Sequence, residues 1–371
     1  IRDKLVTGVQ TCALPISLLK RLVETPLYID IRKGALEDLT QVLADQRVSA
    51  NGHIALVMSE GGSKKFSEKL KKIAPNAQVY ISPGNSLDAA LKLSEDLKKK
   101  NYDAVVGVGG GRVIDVCKYA ATKLEIPMIS VATNLAHDGI ASPVSILEDK
   151  GGRGSFGVNA PLAVVVDLDA IKLAPNRFIK AGIGDVLSNL SAVKDWELAV
   201  KENNEKMDGL AASMARISAE ALLGRPDSIG SDEFLVALSE ALVLSGIAMA
   251  IAGTSRPCSG ACHEISHAID LLYPDRTKPH GEQVGVGALF ATFLREDDEN
   301  FDELAFSLAQ HELPLTHLDL GFNDDEFMQI INKAPSTRPD RFTILEHLKL
   351  NENQIKNKIN EFNSAIKSLD I

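Results

Sequence analysis

The stretch that decides the fold is Gly107-Val108-Gly109-Gly110-Gly111-Arg112-Val113-Ile114-Asp115, which follows the apolar run 104–106 and opens a predicted helix. Glycines let a backbone approach an anion closely, and a helix N-terminus adds unpaired N–H groups and the positive end of a dipole. The pattern is neither GxGxxG nor a Walker A loop. A tight turn without a ligand is the alternative, but consecutive glycines are entropically costly in a turn that binds nothing. The stretch therefore favours a pyrophosphate-binding turn between a strand and a helix.

Short apolar runs alternate with helical patterns on both sides of this turn. We predict strands at 29–31, 54–58, 78–81, 104–108, 128–131 and 163–167, with helices at 33–43, 64–73, 87–99 and 112–123. Such alternation indicates a parallel sheet covered on both faces. From about residue 170 the pattern is helical, with predicted helices at 185–200, 207–223, 232–253, 262–273, 282–294 and 351–369. We therefore expect an α/β N-terminal domain at 18–168 and an all-α C-terminal domain at 169–371.

Composition narrows the classes of function. The chain has 371 residues, a formal net charge of −10 and only 5% aromatic residues. Such a chain lacks the positive field and the stacking surface that bind nucleic acid, and it has no general attraction for anionic membranes. No run approaches the roughly 18 consecutive apolar residues of a membrane span. Four scattered cysteines, Cys12, Cys117, Cys258 and Cys262, are too few for a disulfide scaffold and favour a reducing compartment, the cytoplasm.

The first 17 residues, IRDKLVTGVQTCALPIS, do not lead into the strand and helix pattern that follows. They lack the charged start and the long apolar core of a signal peptide. We interpret residues 1–17 as a non-native leader or a disordered tail and leave them out of the fold.

Candidate metal ligands lie in the helical half. His263 and His267 are four residues apart and share one face of a predicted helix. His280 lies in a predicted loop, and Asp185 begins an earlier helix. Two imidazoles and one carboxylate make a typical catalytic zinc site with an open fourth position. We therefore predict a metal- and substrate-binding role for this half.

The same segment allows a different chemistry. His263-Glu264-Ile265-Ser266-His267 fits HExxH, in which both histidines bind zinc and the glutamate is the general base of a metalloprotease. The extended HExxHxxGxxH pattern is absent, and a protease would leave the α/β half and its glycine turn without a role. The metalloprotease is a remote alternative.

Six segments carry a resemblance to a known family: GVGGGRVIDVCKYAA, ATNLAHDGIASPVS, GIGDVLSN, SRPCSGACHEISHAIDLL, PHGEQVGVG and RPDRFTILEHL. In this order they resemble the sn-glycerol-1-phosphate dehydrogenases, whose superfamily includes glycerol dehydrogenase, iron-type alcohol dehydrogenases and dehydroquinate synthase. The resemblance implies a dehydroquinate synthase-like fold, in which the α/β domain at 18–168 is a nicotinamide-dinucleotide-binding domain and the all-α domain at 169–371 binds metal and substrate. It also implies the NAD(P)H-dependent, zinc-dependent reduction of dihydroxyacetone phosphate to sn-glycerol 1-phosphate, the backbone of archaeal-type ether lipids. A glycerol dehydrogenase acting on an unphosphorylated polyol is the closest alternative.

The resemblance also implies roles for single residues. Asp185, His263 and His280 would hold one zinc ion per subunit. Asp138, Asp185 and His267 would bind the substrate, and His267 and Asp138 would orient it and relay a proton. A homo-oligomer is expected. The residues that would contact the nicotinamide cofactor are Gly109, Gly110, Gly111, Arg112, Val113, Ile114, Asp115, Thr133, Asn134, Leu135, Ala136 and Ser142.

Three features stay open at this stage. Arg256 and Lys278 flank the histidines and are candidates for binding the substrate phosphate, with surface solvation as the alternative. Cys258 and Cys262 stand where the family commonly has an alanine and an acidic residue. Loss of that acid would change the polar surroundings of the metal, although both cysteines could simply be small buried side chains. Glu60 could bind a ribose hydroxyl or serve a helix turn, so the choice between NAD and NADP is open.

Overall fold

The computed structural model describes residues 23, 25–82, 84–149, 152–369 and 371. The leader that we proposed at 1–17 lies outside these residues. The strands are β1 Tyr28–Arg32, β2 Ile54–Met58, β3 Gln78–Ile81, β4 Ala104–Gly109, β5 Met128–Ala132, β6 Val144–Asp149, β7 Gly152–Gly157 and β8 Ala163–Asp167. Six of them form one parallel sheet in the order β1-β8-β5-β4-β2-β3, and β6 pairs with β7 in antiparallel fashion. The predicted parallel sheet is confirmed.

The sheet is covered on both faces, as the continuous apolar strands require. Every residue of β2 is buried, and successive side chains point to opposite faces. Leu56 and Met58 pack into one core cluster, whereas Ala55 and Val57 pack into the other. The core cluster that contains Ala55 and Val57 continues without a break into the helical half. Our division of the chain at 168/169 stays a prediction.

The remaining regular secondary structure of the described chain is helical. Their bounds are α1 Leu39–Leu43, α2 Glu60–Ile73, α3 Leu87–Lys98, α4 Gly111–Leu124, α5 Leu168–Ile171, α6 Asn176–Asn203, α7 Gly209–Glu220, α8 Asp232–Ala252, α9 Ala261–Leu272, α10 His280–Leu294, α11 Asp298–Gln310, α12 Asp324–Lys333, α13 Ile344–Leu348 and α14 Glu352–Ser368. Two predictions were wrong in detail. Asp185 lies inside α6 and does not begin it, and His280 is the first residue of α10, not part of a loop.

The hairpin of β6 and β7 was not predicted, because its glycine-rich second strand shows no alternation of apolar and polar residues. It packs against both halves of the protein. The ring of Phe156 contacts that of Tyr119 on α4 edge-on. Arg153 forms an ion pair with Asp270 on α9, with 3.1 Å between Nη1 and Oδ2.

One described helix, α8, is long and apolar enough to cross a membrane by length and composition alone. Our sequence analysis predicted no such segment, because a glutamate interrupts its apolar run. In the structure, 67% of its most apolar window is buried inside the protein. It therefore packs as a core helix.

The strand order places a crevice where ligands of such sheets bind. The chain runs from β2 to β3 towards one edge of the sheet and from β4 to β5 towards the other. Neighbouring connections therefore diverge at the carboxyl ends of β2 and β4, which is the usual binding position in open α/β sheets. The glycine turn and Glu60, the first residue of α2, border this crevice.

Candidate active site

The glycine turn joins β4 to α4, and the loop after β5 packs directly against it. The first turn of α4 has no side-chain cap, which suits an anion at its N–H groups. A Cβ atom on Gly110 would lie 2.2 Å from Asn134 Nδ2, and one on Gly111 would lie 2.0 Å from His137 Nε2. Any larger residue at either position would displace the side chain of Asn134 or His137. The two loops that we predicted to bind cofactor thus form one surface.

Several of the predicted cofactor residues can face a ligand only through their backbone. The side chains of Val113, Ile114 and Leu135 are buried in the core. Asp115 is buried as well, and its Oδ1 lies 3.0 Å from Lys118 Nζ. The cofactor role of these positions stays a prediction, carried by backbone groups.

Lys118 fixes the second loop to α4, and our sequence analysis missed it. Its side chain is fully buried. Nζ donates hydrogen bonds to the carbonyl oxygens of Gly139 at 2.8 Å and Ser142 at 3.2 Å, and also to that of Val144. A lysine in an amphipathic helix is usually solvated, so the sequence carries no signal for this role.

The predicted metal ligands meet at one point. Asp185 comes from α6, His263 from the first turn of α9 and His280 from the start of α10. One ligand atom from each lies within 4.8 Å of the others, and His280 Nε2 is 3.7 Å from Asp185 Oδ1. Over the described part of the chain, this is the one group of His, Cys, Asp and Glu side chains close enough to share an ion, and it does not include His267.

Close helix packing brings these ligands together. A Cβ atom on Gly184 would lie 2.2 Å from the carbonyl oxygen of Gly281, and one on Gly281 would lie 1.6 Å from that of Ala181. Only glycine allows the backbones of α6 and α10 to come so near. Each of these glycines precedes or follows a ligand, Asp185 or His280, by one residue. The close packing of α6 against α10 therefore sets the distance between the Asp185 carboxylate and the His280 imidazole.

Both imidazoles are held by contacts to Nδ1, which leaves Nε2 for an ion. Ser266 Oγ lies 3.2 Å from His280 Nδ1 and accepts a hydrogen bond from Gln283 Nε2 at 2.9 Å. Cys262 Sγ lies 3.3 Å from His263 Nδ1. Such contacts fix the orientation of ligating histidines. Cys262 and Cys258 are both buried, and burial raises the pKa of the Cys262 thiol to about 12.

The electrostatics of the group fit a cation. Burial, together with the neighbouring Asp138, raises the pKa of Asp185 well above its usual range. Burial lowers the pKa of His263 and His280 well below the usual value, so both are neutral and able to ligate. Two buried carboxyl groups close together would each favour protonation, and a bound divalent cation would compensate both charges.

The residues that we predicted to bind the substrate lie beside the group formed by Asp185, His263 and His280. The backbone N–H of Asp138 donates to Asp185 Oδ2 at 2.9 Å, which ties the loop after β5 to the ligand group. Burial raises the pKa of Asp138 to about 7. His267 Nε2 lies 3.0 Å from Arg338 Nη2. Arginine has only donors, so this nitrogen accepts and the ring proton sits on Nδ1.

The side chains of the HExxH segment do not form the catalytic site of a metalloprotease. Glu264 is fully buried, and its Oε2 accepts a hydrogen bond from Thr343 Oγ1 at 3.0 Å. Burial raises the pKa of Glu264 to about 9, so it is protonated at neutral pH and cannot act as a general base there.

Arg256, one of two candidates for the substrate phosphate, already has a carboxylate partner. Its Nε donates to Glu205 Oε1 at 2.7 Å, and its Nη2 contacts Glu205 Oε2 and donates to the carbonyl oxygen of Phe342 at 2.8 Å. Lys278 lies two residues before His280 and is partly buried. Sequence reasoning missed the pair that does lie beside His267: Arg338 and Arg341 of the segment RPDRFTILEHL.

The sheet, its crevice and the ligand group define a class, that of the metal-dependent dehydrogenases with the iron-type alcohol dehydrogenase fold. The family model described as iron-containing alcohol dehydrogenase matches residues 30–175. The chain is also similar in fold to the glycerol dehydrogenase of Schizosaccharomyces pombe, with a TM-score of 0.76 and 23% identity. That match covers 95% of this chain and 92% of the other. The expected fold is thereby confirmed.

Curated relatives narrow the class to one family. The chain is 37% identical over 327 residues to glycerol-1-phosphate dehydrogenase (NAD(P)+) of Methanosarcina mazei, covering 87% of this chain and 91% of that protein. It is 39% identical over 337 residues to the protein of the same name from Archaeoglobus fulgidus, covering 89% of this chain and 95% of that one. The chain belongs to the glycerol-1-phosphate dehydrogenase family. The resemblance noted in the sequence is confirmed.

Proposed function

We propose that the protein reduces dihydroxyacetone phosphate to sn-glycerol 1-phosphate with NAD(P)H, using one zinc ion per subunit. One observation carries the proposal: Asp185, His263 and His280 converge within 4.8 Å of one another, and Asp138 ties them to the loop that lines the glycine turn. The names of the relatives support the substrate and cofactor. The product would enter ether-type phospholipid synthesis.

Each predicted residue has a role in this proposal. Asp185, His263 and His280 would hold the ion. When bound, the ion stabilises negative charge on the carbonyl oxygen being reduced, and the nicotinamide supplies the hydride. The glycine turn and the residues 133–136 and 142 would bind the cofactor with backbone N–H groups and the start of α4.

The substrate would be oriented by Asp138, Asp185 and His267. The side chain of His267 can donate a hydrogen bond from Nδ1 to a substrate oxygen. Burial and the nearby Arg338 lower the pKa of His267 to about 3, so it works as a neutral donor. The carboxyl group of Asp138, with a pKa of about 7, can take up or release a proton near neutral pH. We therefore assign the proton exchange to Asp138 and the positioning to His267.

The test is a steady-state assay with the metal-loaded protein. Dihydroxyacetone phosphate and dihydroxyacetone are each offered with NADH and NADPH, and the product is analysed for chirality. We expect a strong preference for the phosphorylated ketone and formation of the sn-1 product. Equal rates with both ketones would identify a glycerol dehydrogenase instead, and peptide hydrolysis that depends on Glu264 would identify a protease.

His263→Ala tests the metal role, with His53→Ala as the matched control because His53 is exposed and hydrogen-bonded to the carbonyl oxygen of Asn101. His263→Ala should lose activity and bound metal while NADH binding persists. A His263→Ala protein that stays fully active in a chelator would rule out the metal mechanism. Reloading the apo protein with Zn²⁺ or Fe²⁺ decides between the zinc that we propose and the iron in the name of the family model.

We also propose that the protein works in the cytoplasm as a homo-oligomer. The cysteines of the described chain, Cys117, Cys258 and Cys262, are free and buried, which fits a reducing compartment. Light scattering coupled to size-exclusion chromatography tests the oligomer, and a monomer at assay concentration would refute it.

A further inference from the structure

Two arginines meet at one hydroxyl group beside the metal ligands. Arg338 Nη1 donates to Ser255 Oγ at 3.2 Å, and Arg341 Nη2 donates to the same oxygen at 3.1 Å. Arg338 Nη2 also donates to His267 Nε2 at 3.0 Å. His267 lies one helical turn beyond His263, about 6 Å along the axis of α9. Arg338, and through Ser255 also Arg341, therefore lies next to the face of α9 that carries His263.

Neither Arg338 nor Arg341 forms an ion pair with a carboxylate of the described residues. Within the residues that the structure describes, no carboxylate lies within 4.0 Å of either guanidinium, although Arg256 nearby is paired with Glu205. Burial and repulsion by Arg338 lower the pKa of Arg341 to about 10. Glu264 is the acidic residue that interacts electrostatically with both arginines, but its Oε2 accepts a hydrogen bond from Thr343 Oγ1 at 3.0 Å instead. Partly buried cations without a counter-ion are costly, so the arrangement favours binding of an anion.

The geometry of the two guanidinium groups indicates which kind of anion they bind. Planar guanidinium groups bind phosphate through paired N–H donors. The hydroxyl oxygen of Ser255 accepts hydrogen bonds from both guanidinium groups. Ser155 of β7 lies 3.4 Å from Arg338 Nη2. Arg153 on the same strand is held by Asp270, so it adds little free charge. The cofactor's pyrophosphate is expected at the glycine turn on the sheet side, which leaves Arg338 and Arg341 for a different phosphate.

We propose that Arg338 and Arg341, held by Ser255, bind the phosphate monoester of the substrate and set the preference for a phosphorylated ketone. This rests on the proposed function and replaces Arg256 as the phosphate ligand. The carbonyl group would then face the ligand triad while the phosphate lies beyond His267.

The experiment compares Arg341→Gln and Arg338→Gln with the wild type. The readout is the ratio of kcat/KM for dihydroxyacetone phosphate to kcat/KM for dihydroxyacetone. The loss of one charged hydrogen-bonding partner should lower this ratio about tenfold to a hundredfold. Arg216→Gln is the matched control, because Arg216 is also partly buried but is paired with Glu197, and it should leave the ratio unchanged. A ratio that stays at the wild-type value in both variants would overturn the proposal.

A second measurement does not depend on turnover. Inorganic phosphate and sn-glycerol 1-phosphate should raise the unfolding temperature of the wild type more than glycerol does, because a ligand of the native state stabilises it. This difference should vanish in Arg341→Gln and persist in Arg216→Gln. If it persists in Arg341→Gln, phosphate binds elsewhere and the subsite is wrong.

A charge-compensating variant covers the case in which the glutamine variants fail to fold. Ser255→Asp places a carboxylate between the two guanidinium groups, so it should raise the unfolding temperature and abolish stabilisation by phosphate. A merely structural role of the arginines would leave phosphate binding intact. Failure of the proposed function looks different: the wild type would not reduce dihydroxyacetone phosphate at all, while loss of phosphate binding in the variants would still support the subsite.

Discussion

Gly281→Ala tests whether helix packing sets the geometry of the metal site. The new Cβ atom would lie 1.6 Å from the carbonyl oxygen of Ala181, whereas real Cβ contacts are essentially never under 3.0 Å. The helices α6 and α10 must therefore separate by at least the 1.4 Å difference between these distances. Metal–ligand distances tolerate only about 0.2 Å. We expect zinc affinity to fall about a hundredfold or more and the free energy of unfolding to fall by about 1–3 kcal/mol.

The control lies one turn further along the same helix. A Cβ atom on Gly285 would lie 3.5 Å from Leu308 Cδ2, an ordinary contact. Gly285→Ala should thus keep zinc binding and gain up to about 1 kcal/mol of helix stability. The assay is competition for zinc against a chromophoric chelator, followed by kcat/KM and thermal unfolding with and without metal. If the Gly281→Ala variant binds zinc as tightly as the Gly285→Ala variant, the close packing of α6 against α10 does not position the metal ligands.

Three further predictions follow from single contacts. Ser266→Ala removes the partner of His280 Nδ1, so zinc affinity measured by chelator competition should fall about 10- to 100-fold while NADH binding, read by fluorescence, is unchanged. Glu264→Gln should keep full dehydrogenase activity. Because the folded-state pKa of Glu264 is raised to about 9, wild-type stability should decline between about pH 4.5 and 9, and denaturant titrations of the glutamine variant should show a smaller decline. Lys118→Met leaves Asp115 buried without its cation. The free energy of unfolding should therefore fall by about 3–5 kcal/mol, and the KM for NADH should rise. A variant as stable as the wild type would contradict the role of Lys118.

The sequence predicted the features that depend on local pattern. Continuous apolar strands between helices indicated the parallel sheet, and the glycine stretch indicated the turn from β4 into α4. The helices α12 and α13 were missed although their capping boxes, Asn323 with Glu326 and Thr343 with Glu346, could have revealed them.

Features that depend on contacts between distant segments were not predictable. We expected Asp185 to begin a helix, but the helix begins at Asn176 and includes Gly182 and Gly184. Both glycines serve distant contacts, since Gly182 packs against the carbonyl oxygen of Leu135 and Gly184 against that of Gly281. Likewise, nothing local distinguishes Arg256, which is paired with Glu205, from Arg338 and Arg341. Only the folded chain shows which charges are compensated.

The three side chains that we propose as metal ligands come from three different helices, and Asp185 lies far from the two histidines along the chain, so an unfolded chain offers no assembled chelate. An ion that binds there stabilises the native state alone, and its binding free energy adds to the folding free energy. Chelators should therefore act on this protein as mild denaturants as well as inhibitors. The supply of metal in the cell would then govern how long each molecule survives proteolysis, not only how fast it works.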